Sequence, residues 1–297
     1  MYMKYTLLVT CGTSLLSNAN RDAGSEPAGI KEQEQMYNRL ALMNKKYNFA
    51  KLARLEPGSI DDSKIKDNHT NRGSELFQTL LDYINKKKGA SAEVNTITLL
   101  MEEYKILPSD VENIFLYHSD TGTGTLCAKI IEEHLKSKGL NVQLVQVNGF
   151  SSAKTLEQFQ EGMMDLMSKI VRIVKRRKHH SSKDSKVYVL ATAGFKPEST
   201  AAVIAALLAG ADGIYYVYES TRELVMIPPI PLAIDEGVKR YIDSIFGADY
   251  KNDVPIALLL ERGILDYDML EEKGLIERKG ELNDKIRLRD WVKELLD

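Results

Sequence analysis

Tyr5-Thr6-Leu7-Leu8-Val9-Thr10-Cys11-Gly12-Thr13-Ser14 and, much further along, Val187-Tyr188-Val189-Leu190-Ala191-Thr192-Ala193-Gly194-Phe195-Lys196 share one layout. A short, continuously apolar run ends in a glycine-bearing turn that carries hydroxyls, and a helical pattern follows. Runs without polar alternation are buried on both faces, as in a parallel sheet covered by helices. In such sheets the turns at the carboxyl ends of strands expose backbone N–H groups and helix N-termini, which favour anions. Hydroxyls at Thr13 and Ser14 together with Lys196 at that edge point to a phosphate-containing ligand.

Working outward, the same alternation recurs. Asn113–His118 is a strand, Ser119-Asp120-Thr121-Gly122-Thr123-Gly124 a turn, Leu126–Lys138 a helix stopped by Gly139, and Asn141–Val147 another strand. Ser152–Arg177 carries Leu156, Phe159, Met163, Leu166, Ile170 and Ile173 at helical spacing. Strand Lys186–Ala191, helix Pro197–Leu208 and strand Gly213–Val217 complete a second βαβ unit. The fold class is α/β, a doubly wound, mostly parallel sheet of about five strands.

Two segments stand outside this alternation. From about residue 20 to 90 the chain is polar, with helical spacing in Gln35–Leu55 and Ser74–Ile84 and an exposed loop expected over Glu56–Arg72; Ser91-Ala92-Glu93 then opens a helix to about Tyr104. After Pro228, Pro229 and Pro231, the helical stretches Ile234–Phe246, Val254–Glu261 and Tyr267–Lys273, a hairpin over Gly274–Leu282 and a closing helix Arg289–Leu296 resemble a winged helix-turn-helix. The expected domains are 1–230, with a helical insertion at 20–90, and 232–297.

Forty basic and forty-two acidic residues give a net charge of −2, so the total charge demands no polyanionic partner. Cys11 and Cys127, the only cysteines, make neither a disulfide framework nor a zinc cluster, which fits a reducing cytoplasm. Tyr5–Val9 is shorter than a secretory h-region and no run reaches the length of a membrane span, so no membrane partner is expected.

The candidate site residues follow from the turns. Ser14, with Thr13 and the amides around Gly12, binds a phosphate oxygen, or holds a ribose hydroxyl in line for attack, or simply caps a helix. Lys196 adds positive charge to a helix N-terminus that is already positive. The Ser119–Gly124 turn lacks the third glycine of a dinucleotide fingerprint, which argues against NAD. Asp120 and Thr121 are candidate ligand contacts, with a helix cap as the alternative for Asp120. Cys127 reads as a small buried residue. Arg172 and His179 have the arginine-to-histidine spacing of HEPN ribonucleases but lie at the basic end of a core-packing helix. His69, His118 and His134 show no metal-ligand spacing, and no cofactor or metal is expected.

C-G-T-S-L-L-S-N at Cys11–Asn18, Ser91-Ala92-Glu93, Ser119-Asp120-Thr121 and A-T-A-G-F-K-P-E at Ala191–Glu198, in that order, resemble the CRISPR-associated Rossmann fold (CARF) proteins, and among them the single-CARF archaeal-type ring nucleases. The resemblance covers about residues 1–230. It implies a homodimer whose two sheet edges form one pocket for a cyclic oligoadenylate, and metal-independent cleavage of cyclic tetra-adenylate to linear products with 2′,3′-cyclic phosphate ends. It places the family's serine on Ser14 and its lysine on Lys196. The expected ligand contacts are Gly12, Thr13, Asn18, Asp120, Thr121, Gly122, Gly194 and Phe195. DNA binding by the C-terminal unit is possible but not favoured, because Glu271, Glu272, Glu277, Glu281 and Asp284 dilute its basic residues.

Overall fold

The computed structural model describes residues 3–25, 31–151, 155–180, 184–194, 196–218, 220–247 and 250–296. Strands β1 (Lys4–Cys11), β2 (Val111–Ser119), β3 (Val142–Val147), β4 (Ser185–Leu190), β5 (Gly213–Val217) and β6 (Leu224–Ile227) form one sheet in the order β3-β2-β1-β4-β5-β6. The first five are parallel and β6 runs antiparallel to β5. Leu7, Leu8 and Val9 of β1 are at most 1% exposed, as a strand covered on both faces requires. Successive side chains alternate between layers: Leu7 and Val9 join one apolar cluster and Leu8 the other.

Helices α1 (Ser14–Asp22), α2 (Lys31–Tyr47), α3 (Phe49–Leu52), α4 (Ile60–His69), α5 (Glu75–Lys86), α6 (Ala92–Glu103) and α7 (Gly122–Ser137) build the first layer. Side-chain oxygens fix several starts: Ser59 caps α4, Ser74 α5, Ser91 α6 and Thr121 α7. The expected exposed loop over Glu56–Arg72 is a correction, since α4 occupies its middle. That helix carries little apolar periodicity and packs on α7 through buried Asp62 and Ile65, so the hydrophobic pattern on which the loop reading rested is nearly silent there. Likewise α7 begins at Gly122, because the glycines of the 119–124 turn form its first turn.

Helices α8 (Leu156–His180) and α9 (Lys196–Ala209) cover the opposite face. The C-terminal unit comprises α10 (Glu236–Phe246), β7 (Val254–Pro255), α11 (Ile256–Glu261), α12 (Asp268–Glu272), β8 (Ile276–Lys279), β9 (Lys285–Leu288) and α13 (Asp290–Leu296), with a small sheet ordered β7-β9-β8. Its core is continuous with the α8 layer: Ile242, Leu259, Ile286 and Trp291 share one cluster with Met167, Ile170 and Val174. Arg172 pairs with Glu294 and Arg289 with Glu161 across the same seam. Among the described residues no helix is long and apolar enough to cross a membrane.

Candidate functional site

The sheet order reverses between β1 and β4, and there the two glycine turns meet at the carboxyl edge. A Cβ on Gly12 would lie 2.9 Å from the backbone nitrogen of Gly194, whose φ of +101° is itself a glycine conformation. Thr10 Oγ1 donates to the Ala193 carbonyl and ties the strand ends together. Above them opens a cleft of about 460 Å³ lined by Gly12, Thr13, Ser14, Ser119, Gly194 and Glu198, among others. A second, more apolar lobe of about 510 Å³ adjoins it through Thr13, Ala53, Ser119 and Glu198. Arg54, Leu55 and Pro57, from the segment between α3 and α4, form one wall of that lobe, and Phe150 and Phe159, with rings 5.4 Å apart, form the other.

Ser14 does not cap α1; Thr13 holds that position without a side-chain capping bond, its Oγ1 donating to the Ala53 carbonyl at 3.2 Å. Instead Ser14 Oγ accepts the Ala92 N–H at 3.0 Å and donates to Glu93 Oε2 at 2.6 Å. Glu93 is 1% exposed, and its carboxylate also accepts the Gly12 N–H at 2.8 Å and the Ser91 hydroxyl at 2.6 Å. Two helix N-termini, of α1 and α6, thus converge on one carboxylate. In the sequence Glu93 looks like an ordinary acid in the first turn of a helix, and nothing there marks it as part of the site.

A second carboxylate fills the other glycine turn. Asp62 of α4, 2% exposed, accepts the N–H groups of Gly122 and Thr123 at 2.9 and 3.1 Å and that of Gly58 at 3.3 Å. A Cβ on Gly122 would sit 2.0 Å from the Asp62 carbonyl, so this glycine serves the packing of α4 on α7 and its amide is already bonded within the protein. Asp120 accepts from the Gly149 and Ser151 N–H groups and from the Ser151 hydroxyl, fixing the 149–151 loop. Asn18 donates to the carbonyls of Gly89 and Ala90. Asn18, Asp120 and Gly122 thus make these bonds inside the fold and do not line either lobe.

Gly12, Thr13, Ser14 and Gly194 are brought together in the first lobe, and Thr121 lines the second. Thr121 Oγ1 accepts the Gly124 N–H, as a cap should. Lys196 is exposed at the first residue of α9. Phe195 lies outside the described residues. Cys11 and Cys127 are buried, and burial pushes both thiols up from their ordinary range, with Glu93 adding to the effect. Burial lowers His118, whose Nδ1 lies 2.8 Å from the Ser119 carbonyl. Among the described residues no group of three or more His, Cys, Asp or Glu side chains is placed to hold a metal ion.

A Rossmann-like α/β sheet with its cleft at the switch point is the class this geometry defines. Residues 88–230, from just before α6 through β6, match a family model described as CRISPR-associated protein (Cas_APE2256). The match supports a CRISPR-associated protein. It includes Glu93 and Lys196, whereas β1 with Ser14 precedes it.

Proposed function

We propose that the chain binds a cyclic oligoadenylate, cyclic tetra-adenylate foremost, across the carboxyl edges of two protomers and cleaves it to linear products with 2′,3′-cyclic phosphate ends, ending a second-messenger signal. The observation that carries this reading is Ser14, whose hydroxyl is held by two fixed partners at the floor of a cleft at the sheet's switch point. The CRISPR-associated family match and the CARF resemblance supply the ligand class.

Such cleavage needs the ribose 2′-oxygen in line with its own phosphorus and the developing charge stabilised. Ser14 aligns the hydroxyl, and Lys196, at the positive start of α9, faces the phosphorane or the leaving 5′-oxygen. The Phe150–Phe159 wall offers a face on which adenine stacks, with Arg54 beside it. A ring of four identical nucleotides has a twofold axis, which matches a symmetric dimer.

The C-terminal unit keeps one rival reading in play. Its order of helix, strand, two helices and hairpin resembles a winged helix, and a ligand-controlled DNA binder would use such a unit. But α12, at the recognition-helix position, carries Asp268, Glu271 and Glu272, and Arg278 is paired with Asp268 and Glu271. Incubation of labelled cyclic tetra-adenylate with the protein in EDTA, beside Ser14→Ala and Lys196→Ala, tests the proposal. Linear adenylates from wild type, with a loss of about 10²-fold in Lys196→Ala, are expected. Tight binding with the ring left intact refutes cleavage and favours the sensor.

A further inference from the structure

We infer that Ser14 meets its ligand only as a hydrogen-bond acceptor, with Glu93 as the positioning residue and proton acceptor behind it, so that the floor of the cleft recognises a ribose 2′-hydroxyl and not a phosphate. This rests on the function proposed above and deepens it. A serine hydroxyl has one proton and two lone pairs. The proton of Ser14 goes to Glu93 Oε2 at 2.6 Å, and one lone pair takes the Ala92 N–H at 3.0 Å. A single lone pair remains for the cleft, and only a donor can use it.

The neighbouring groups close the alternatives. Glu93 Oε2 also takes the Ser91 proton at 2.6 Å, while the Ser91 oxygen accepts the Val94 N–H at 3.3 Å, so Ser91 does not compete for the Ser14 oxygen. The Gly12 N–H points to Glu93 Oε1 at 2.8 Å and is not offered to an incoming anion. A phosphate oxygen placed on Ser14 would face an oxygen lone pair with a buried carboxylate behind it. A ribose hydroxyl placed there finds its acceptor ready.

The relay that follows is balanced. The 2′-hydroxyl proton passes to Ser14 Oγ as the Ser14 proton passes to Glu93 Oε2. The 2′-oxygen forms its bond to phosphorus, the bond from phosphorus to the 5′-oxygen breaks, and the leaving oxygen takes a proton from solvent water. After product release the proton on Glu93 returns through Ser14 to solvent.

Gln at position 93 reverses the polarity. Its carbonyl must keep facing the Gly12 N–H, which leaves its amide donating to Ser14 and turns the serine proton outward. The experiment measures the affinity of wild type, Ser14→Ala and Glu93→Gln for cyclic tetra-adenylate and for its all-2′-deoxy counterpart, which cannot be cleaved by this route, alongside single-turnover cleavage and thermal melting. Wild type is expected to prefer the ribose ring by about tenfold, the worth of one such bond per site. Ser14→Ala is expected to lose that preference while binding the deoxy ring as wild type does, whereas Glu93→Gln keeps it, because a 2′-hydroxyl also accepts the outward serine proton, but cleaves about 10²-fold more slowly. Equal weakening of both rings in Ser14→Ala would show a phosphate contact and overturn the inference alone, as would wild-type cleavage by Glu93→Gln. A wild-type protein that binds neither ring overturns the functional reading and the inference with it.

Discussion

Replacing Asp62 with alanine tests whether the glycine turn at the start of α7 belongs to the fold or to the ligand. The carboxylate accepts the Gly122 and Thr123 N–H groups at 2.9 and 3.1 Å, both on buried residues, and nothing else in the turn reaches them, since Thr121 Oγ1 caps Gly124. Each buried donor left without a partner costs about 1–3 kcal/mol, so the pair sets a loss of roughly 2–6 kcal/mol. For a chain of this size, with an unfolding entropy of about 0.6 kcal/mol/K, that is a fall in melting temperature of about 3–10 °C. Asparagine is no rescue, because its amide would point a donor at one of two donors. Thermal and urea unfolding measure the stability, and hydrogen exchange reads the two amides directly. Their protection should be high in wild type, collapse in Asp62→Ala and stay unchanged when a cyclic oligoadenylate is added. An Asp62→Ala protein within about 0.5 kcal/mol of wild type, or ligand-dependent protection at Gly122, would refute the assignment of this turn to internal packing.

Three further outcomes follow from the geometry. Gly12→Ala drives a methyl to 2.9 Å from the Gly194 backbone, which cannot rotate away, so a loss of about 1–3 kcal/mol in urea unfolding and a distorted cleft with weaker ring binding are expected. Phe159→Ala removes the half-buried ring of the apolar lobe, and calorimetry should show binding weakened by about 1–3 kcal/mol if adenine stacks there, with unchanged affinity counting against that lobe as the base site. Burial raises both thiols and so suppresses the thiolate, the reactive form; a chromogenic disulfide reagent at about pH 8 should leave Cys11 and Cys127 untouched in the native protein and titrate both in denaturant.

The sheet was readable because its signal is local. Each strand is a short apolar run, and Gly213–Val217 falls at its expected bounds. The antiparallel edge strand β6 escaped notice because Leu224–Ile227 stands directly before the proline cluster and reads as part of a linker. The glycine turns were also legible, but which of their amides remain available was not. That is decided by Glu93, 79 residues from Ser14 in sequence, and Asp62, 60 residues from Gly122, and both look like ordinary first-turn acids of their own helices. The pattern of α4 conceals its partner for the same reason: few apolar residues mark a helix whose main contact is a carboxylate.

Two buried carboxylates at two glycine turns have one consequence for recognition. In many phosphate sites the amides of such turns cradle the anion. Here Glu93 and Asp62 already stand where the anion would, each on several N–H or O–H donors, and Glu198 lines both lobes. Adding a phosphate to the floor would bring it against negative charge in a partly desolvated cleft, where repulsion is weakly screened. The phosphates of a bound ring are therefore expected at the rim, near exposed Arg54 and Lys196, while ribose faces Ser14 and the bases face Phe150 and Phe159. If the proposed function holds, that arrangement would put the 2′-hydroxyl, which an RNA ring carries and a DNA ring lacks, against the Ser14 oxygen held by Ala92 and Glu93, and selectivity for ribose and the start of the proposed cleavage would reside in the same hydrogen bond.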